Sequence, residues 1–353
     1  MKLLSWNCQG IGNPVTVRAF KRLISHYHPD FVFLMETKKL KNTCSFLSYL
    51  GDQYESFIVD CSTSGGGKSG GLILLWNPIF KVEIKMFDFF YIDSIITSTI
   101  DNISWRCTGI YGYPQRHNKF LTCDTMSNLS SINWNPNWLI FGDFNMILNN
   151  EEKSGGNPLD LNITQLFRDT INVCNLNDLG FQGDIFTWAN NQEDTHIKCR
   201  LDRFFATQEW ISLFPSYSNT HLIKYGSDHN PLLLEFAYNN QCRSKFYKSN
   251  KFEQHWLSNE EHSKIVQHSW ANVQIPIAQR LSLTLNNLVQ WGKATFGNIA
   301  KQIYQTQADL HDLNSVSGQH GILQQIKIKE KELDVLMAQE EMWWQQRSRV
   351  LWL

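Results

Sequence analysis

Residues 138–145 read WLIFGDFN: four apolar residues in a row, then Gly142, Asp143, Phe144 and Asn145. A short, unbroken apolar run bounded by turn chemistry is the pattern of a strand buried on both faces. Asp143 and Asn145 then fall where that strand ends, the usual place for reactive side chains in a sheet-based enzyme. The same pattern recurs in both directions along the chain. Lys2–Trp6, Phe31–Met35, Leu72–Trp76, Ile103–Tyr111 and Leu232–Phe236 are further apolar strand candidates. Residues 79–88 and 92–100 lie close enough to form a hairpin. Asn13 and Pro14 make a good N-cap and first-turn pair for a helix running to about Tyr27. Residues 163–174 and 206–213 read as two more helices. Strands mixed with helices and hairpins predict an α+β sandwich, two sheets packed face to face with helices outside.

After about residue 240 the character changes. Proline occurs once, at Pro276, and the chain becomes rich in Gln, Leu, Lys and Glu. Leu281, Leu285, Leu288, Ile299, Ile303, Leu310 and Leu313 recur at helical steps, as on one helix face. Gly318 and Gly321 break the run, and Ile326, Leu333, Leu336, Met337, Trp343 and Trp344 resume it. The expectation is a sandwich domain over residues 1–238 and an all-α helical-hairpin extension over 239–353. The Trp343–Trp344 pair and the heptad-like spacing make self-association through this tail a candidate interaction.

Bulk properties bound the function without choosing it. The 353 residues exceed the usual domain size of about 100–200, so two modules are expected. A 42% hydrophobic and 18% charged composition is that of a globular protein and excludes a disordered chain. Up to residue 240 there are 19 Lys+Arg against 23 Asp+Glu, net −4, and beyond it 13 against 10, net +3. Neither half is basic enough for tight, non-specific nucleic-acid binding, so any DNA contact rests on local charge or on a further part of a longer protein. Cys8, Cys44, Cys61, Cys107, Cys123, Cys174, Cys199 and Cys242 are scattered without a CxxC pair. They read as reduced, buried thiols of an intracellular protein. Neither a signal peptide nor an apolar stretch long enough for a membrane span is present, so no membrane partner is expected.

The chemistry is concentrated in short polar signatures that follow apolar strands. In order they are Ser5-Trp6-Asn7, Leu34-Met35-Glu36-Thr37, Gly109-Ile110-Tyr111-Gly112, Gly142-Asp143-Phe144-Asn145, Phe186-Thr187-Trp188, Arg200-Leu201-Asp202-Arg203 and Ser227-Asp228-His229. Each alone has an ordinary reading: Glu36 ends a strand, Asp143 forms a turn, Tyr111 is a core tyrosine, and Ser227 caps a helix. Together they suit phosphodiester hydrolysis. A hard cation such as Mg²⁺, with Mn²⁺ as the alternative, takes a few oxygen ligands, and Glu36, Asn7 and Asp228 supply that type. Asp143 could accept the proton of an attacking water. Asn145, Asn7, Tyr111 and His229 can donate to developing negative charge. Asp202 is the natural partner to fix the His229 tautomer and raise its pKa.

This ordered set resembles the endonuclease/exonuclease/phosphatase superfamily, which includes apurinic endonucleases and inositol polyphosphate phosphatases. GDFN followed by SDHNPL is its most specific part, and the resemblance runs from Leu3 to about Phe236. It implies a four-layered α/β sandwich, with Glu36 as main metal ligand and Asn7 and Asp228 near it. It further implies that Asp143 acts on the water, Asn145 and His229 contact phosphate, Asp202 orients His229, and Thr187 and Ser227 contact substrate. Gln9 departs from the pattern, standing where several apurinic endonucleases carry an aspartate, which puts a second metal position in doubt.

WNCQGIGN, GGKSGGLILLW and FTWANN…RLDRFF resemble, more narrowly, the endonuclease domain of plant LINE-type (non-LTR) retrotransposon polyproteins. QWGKATFGNIAKQI and EEMWWQQRSRVLWL resemble the linker preceding the reverse transcriptase there. The chain stops at Leu353 inside a helical pattern, so a longer parent polyprotein carrying a reverse transcriptase is the expected partner, with DNA as substrate and the nucleus as location. The glycine-rich segment 64–71 lacks the GxxxxGK[ST] frame and precedes a strand. It reads as a flexible loop that brings Lys68 near a phosphate backbone, with a plain hairpin loop as the ordinary alternative. Two rivals remain: a phosphatase of small phosphoesters using the same residues, and an inactive DNA-binding or interaction remnant.

Overall fold

In the computed structural model, residues 1–63, 67–190, 197–238, 261–270, 277–295, 299–315 and 322–350 are described. Strands β1 (Lys2–Asn7), β2 (Phe31–Met35), β3 (Glu55–Val59) and β4 (Leu72–Trp76) form most of one sheet. Strands β5 (Phe80–Asp88), β6 (Tyr91–Ser98), β7 (Ser104–Tyr111) and β8 (Trp138–Asp143) form most of a second. The short strands β9 (Lys153–Ser154), β11 (Trp188–Ala189) and β12 (Lys198–Cys199) make a small third sheet, while β10 (Leu176–Asp178) and β13 (Asp202–Thr207) extend the second. Strands β14 (Ser216–His221) and β15 (Leu232–Ala237) complete the first. The strand orders are β14-β15-β1-β2-β4-β3 and β10-β13-β8-β7-β6-β5.

Each large sheet contains one parallel pair at its centre, β1 with β2 and β7 with β8. A parallel neighbour requires a crossover, and each is supplied by a helix: α1 (Pro14–Tyr27) and α2 (Lys119–Ser130). Helix α1 begins where the sequence signals it, with the Asn13 side chain accepting from the Val15 amide. Helices α3 (Leu161–Val173) and α4 (Gln208–Leu213) follow. The helix expected from residue 206 starts two residues later. Ala206 and Thr207 are instead strand residues paired with Leu139 and Leu176, so sheet pairing overrides alanine's helical preference.

The apolar runs are strands because two sheets cover them. Both β2 and β4 bury every residue. Between the sheets the Phe33 ring meets Phe141 edge-on at 5.5 Å. Fully buried Trp105 is surrounded edge-on by Phe31, Phe80, Phe214 and Phe236 at 5.4–6.3 Å. One charged pair is sealed in as well. Arg106 and Asp93 are 2% and 0% exposed, and the guanidinium grips the carboxylate through Nε and Nη2 while Nη1 donates to the Leu129 and Ile132 carbonyls. The seven described cysteines are buried and unpaired, and burial pushes the Cys8 thiol up to about 12.

The chain divides into two compact units, Met1–Asn240 and Gln241–Leu353. The second holds helices α5 (Glu261–Trp270), α6 (Ile277–Thr295), α7 (Ile299–Ser315) and α8 (Ile322–Val350). The run expected as one helix from Leu281 to Leu313 is thus α6 and α7. Leu288, Ile303, Leu310, Ile326, Leu333 and Met337 are buried as their spacing requires, but Leu281 is 56% exposed. Trp291 reaches from α6 to Glu261 of α5, and Lys329 of α8 pairs with Asp309 of α7 at 3.0 Å. Gly318 and Gly321 and the side chains of Trp343 and Trp344 lie outside the described residues. No described helix is long and apolar enough to cross a membrane.

Candidate active site

The two parallel pairs end side by side, which gathers residues far apart in sequence. Asn7 closes β1, Glu36 follows β2, Tyr111 closes β7 and Asp143 closes β8. Backbone crowding at this edge demands glycine. At Gly142 φ is +134° and an added Cβ would lie 1.9 Å from the Ile110 carbonyl oxygen; at Gly112 it would lie 2.4 Å from that of Phe144. Four residues with side chains also take left-handed backbone here: Gln9, Glu36, Lys38 and Asn145, with φ of 47–54°. Such strain clusters where surrounding structure holds it for a purpose.

Asn7 is fully buried at the centre. Its amide nitrogen lies 3.2 Å from Glu36 Oε1, 3.0 Å from Asp143 Oδ2 and 3.4 Å from His229 Nε2, while its oxygen accepts from the Gln9 amide at 3.3 Å. Asn7 was expected both as an oxygen donor to a metal and as a hydrogen-bond donor, and its amide nitrogen is the group turned toward the two carboxylates. Tyr111 donates its hydroxyl to Glu36 Oε1 at 2.9 Å, and Lys38 Nζ lies 3.6 Å from Glu36 Oε2. Asn145 donates its backbone N–H to Asp143 Oδ1 at 2.9 Å and its side-chain amide to the Gly112 carbonyl at 2.9 Å and Asp143 Oδ2 at 3.3 Å.

Across from these, β13 pairs antiparallel with β8 in a register that sets Asp202 opposite Asp143. Asp202 Oδ2 accepts from His229 Nδ1 at 2.9 Å, which fixes the orientation of the ring. The other ring nitrogen, Nε2, faces Asp143 Oδ2 at 3.7 Å and Asp228 Oδ1 at 3.9 Å. Asp228 Oδ2 accepts from the Gln9 side-chain Nε2 and the Trp188 indole N–H, both at 2.8 Å. Burial raises the Asp143 carboxyl, and Asp202 adds to the shift against the opposing effect of His229. Burial alone would lower His229, but Asp202, Asp143 and Asp228 outweigh it, so the imidazole is held as its cation. Burial raises the Tyr111 hydroxyl, and Glu36 lifts it further, so it is a donor at any physiological pH.

The donor set fits a hard divalent cation. Glu36, Asp143, Asp202 and Asp228 crowd one edge against His229 and Lys38, and the buried Asp202 Oδ1 and Asp228 Oδ1 have no hydrogen-bond partner. An orphaned buried carboxylate oxygen is costly unless a cation faces it. One ligand atom each of Asp143, Asp202 and His229 lies within 4.8 Å of the others. That triple already shares a proton, since His229 Nδ1–H is spent on Asp202. Glu36 and Asp228 offer further carboxylate oxygens of the kind that a hard cation takes.

Thr187 and Ser227, expected as substrate contacts, are both hydrogen-bonded within the protein. Thr187 is fully buried, and its Oγ1 accepts the Leu201 and Asp202 amides at 2.9 and 3.0 Å, so it shapes the turn that presents Asp202. Ser227 donates to the Asn7 carbonyl at 2.7 Å and accepts from the His229 amide at 3.2 Å, tying two site strands together. Lys68 is exposed beside Gly70 and Gly71, whose carbonyls accept from the Lys38 and Thr37 amides, so the glycine-rich loop is rooted next to Glu36. Lys119 donates to the Asn145 carbonyl, and burial lowers its pKa despite the nearby Asp143.

A buried ionic cluster props up the Asp202 turn. Arg203 and Arg200 both bind Glu152 and Asp178, and Arg200 stacks on Phe181, itself stacked at 4.6 Å on His221. Burial is the main reason His221 is pulled down to about 4. A histidine depressed in the fold stabilises it fully above its unfolded value of about 6.5 and loses that contribution as pH falls toward its folded value. Residue His221 alone is expected to make the protein roughly 2 kcal/mol less stable at pH 5 than at pH 7. Urea midpoints at the two pH values should converge in His221→Gln; an unchanged gap would assign the acid sensitivity elsewhere.

A sequence model of the Endonuclease/Exonuclease/phosphatase family matches residues 4–229. The fold is similar to the endonuclease domain of TRAS1, a telomere-specific non-LTR retrotransposon, at 13% identity and a TM-score of 0.50, covering 67% of this chain and 97% of that one. It is also similar to the AP endonuclease LMAP from Leishmania major, at 15% identity and a TM-score of 0.50, covering 66% of this chain and 86% of that one. No curated protein matches the sequence.

Proposed function

The chain belongs to the endonuclease/exonuclease/phosphatase family, and from that membership we propose that it is a divalent-metal-dependent DNA endonuclease that nicks one strand and leaves a 3′-hydroxyl. The observation that carries this reading is the His229 imidazole, tethered by Asp202 and turned toward Asp143 and the Asn7 amide.

In this reading a phosphodiester enters over Asn7 with its non-bridging oxygens toward Asn7, His229 and Asn145. Cationic His229 donates from Nε2 to the charge developing on phosphorus-bound oxygen, at no reorganisation cost because Asp202 already holds the ring. Asp143, with its carboxyl raised toward neutrality, accepts the proton of the attacking water, and the Asn145 amide and Asn7 keep its oxygens aimed. Tyr111 holds Glu36 in place. A divalent cation, Mg²⁺ or Mn²⁺, bound by Glu36 and Asp228 would supply Lewis-acid charge at the phosphate and leaving oxygen. Glu36→Ala is expected to raise the Mg²⁺ midpoint for nicking by at least about tenfold; an unmoved titration curve would remove Glu36 as a ligand.

The signatures WNCQGIGN and FTWANN…RLDRFF support a LINE-type retrotransposon branch, in which such a nick primes reverse transcription. Loose target choice, read from DNA shape and deformability, is then expected. An end-labelled duplex distinguishes the readings. Extension of the nicked product by a DNA polymerase without prior phosphatase treatment supports a 3′-hydroxyl. Release of inorganic phosphate from a phosphoinositide, with intact DNA, would favour the small-phosphoester alternative.

A further inference from the structure

The β5–β6 hairpin reverses through two residues, Phe89 and Phe90, between the paired Asp88 and Tyr91. Two-residue hairpin turns normally use Asn, Asp or Gly to reach positive φ, yet both turn residues here are aromatic and neither takes positive φ. A local rule broken in a well-paired hairpin points to use rather than folding. Phe89 is 51% exposed, and its amide is capped by Asp88 Oδ1. Phe90 lies nearly parallel to Tyr113, with centroids 3.7 Å apart, and at 13° to Tyr111 with centroids 6.3 Å apart; its carbonyl accepts the Tyr111 amide. Tyr111 in turn donates to Glu36. A row of rings therefore runs from the exposed turn to the carboxylate at the candidate catalytic edge.

We propose that Phe89, the exposed turn residue next to the Phe90–Tyr113 stack, stacks an unpaired base of the DNA strand next to the phosphate being cut. This rests on the nuclease reading for its choice of ligand. Every base offers a π-face, so an aromatic turn binds without regard to sequence but distinguishes an unstacked base from a paired one. The occupant follows from continuity with the site. A ring row ending on Tyr111 and Glu36 adjoins whatever phosphodiester those residues hold, and the group next along a nucleic acid is a base. Nicking is then favoured where the duplex opens easily.

The test uses the full chain in EDTA and a single-stranded oligonucleotide carrying 2-aminopurine. Wild type is expected to quench the probe on binding. Phe89→Ala is expected to bind roughly 5- to 150-fold more weakly with little quenching, and Phe89→Trp to restore both. Exposure of Phe89 means that folding should survive, which an unchanged melting temperature checks. Equal affinity and quenching for wild type and Phe89→Ala, or no binding by wild type, overturns the proposal. Plasmid nicking by the same proteins in Mg²⁺ separates the two claims. Nicking with a Phe89-independent probe signal refutes the stacking site alone, while Phe89-dependent quenching without nicking upholds it and refutes the nuclease reading.

Discussion

His229→Ala is expected to nick supercoiled DNA roughly 10²–10⁴-fold more slowly than wild type, the usual scale for losing a positioned acid–base group or charge stabiliser. The size of the effect comes from pre-organisation. Asp202 already spends its Oδ2 on His229 Nδ1, so the cationic ring stands in place before substrate arrives. Removing it also leaves Asp202, only 2% exposed, without its main partner. His229→Asn separates catalysis from folding, because its amide can still donate to Asp202 but carries no charge. Loss of rate in both variants, with wild-type melting in His229→Asn, fits the account. A near-wild-type rate in either removes His229 from the centre. The pH profile carries a matching signature: Asp143 must be ionised to accept a proton, and its raised carboxyl moves the acid limb upward, so rates fall at a higher pH than an ordinary carboxylate would give.

Asp93→Ala is expected to cost about 3–5 kcal/mol of stability, although Asp93 lies inside the second sheet and has no part in the catalytic scheme. Its carboxylate accepts from Arg106 Nε and Nη2 and from the Thr108 hydroxyl, and neither charged side chain is more than 2% exposed. Truncation leaves a guanidinium buried without its counter-charge, and the two carbonyls that Nη1 binds cannot neutralise it. Asp93→Asn keeps an acceptor and should lose less. Denaturant unfolding followed by near-ultraviolet dichroism, to which Trp138 stacked on Arg106 contributes, measures both variants. A loss below about 1 kcal/mol would mean that water or rearrangement reaches the pair.

Much of this site is legible in the linear sequence because its residues sit where apolar periodicity stops. Strands such as Phe31–Met35 and Trp138–Asp143 announce themselves by unbroken apolar runs, and Glu36, Asp143 and Asn145 follow directly. What the sequence hides is pairing. Nothing local says that Asp202 stands opposite Asp143, or that Ala206 and Thr207 belong to a strand, since register is a long-range property. Side-chain orientation is hidden too. Asn7 was read both as an oxygen ligand and as a donor, and nothing local says that its nitrogen meets carboxylates from two other segments. Thr187 shows the same limit: a hydroxyl beside a signature motif looks like a substrate contact until the Leu201 and Asp202 amides fold onto it. Trp188 escaped notice as a holder of Asp228, although it lies within a motif already singled out.

Conversion of supercoiled plasmid to open circles by the wild-type chain in Mg²⁺, with and without EDTA, tests the central claim most directly. The account predicts single-strand nicking that EDTA abolishes and fresh Mg²⁺ restores. Well-folded protein that leaves the plasmid supercoiled in Mg²⁺ and in Mn²⁺ would contradict it.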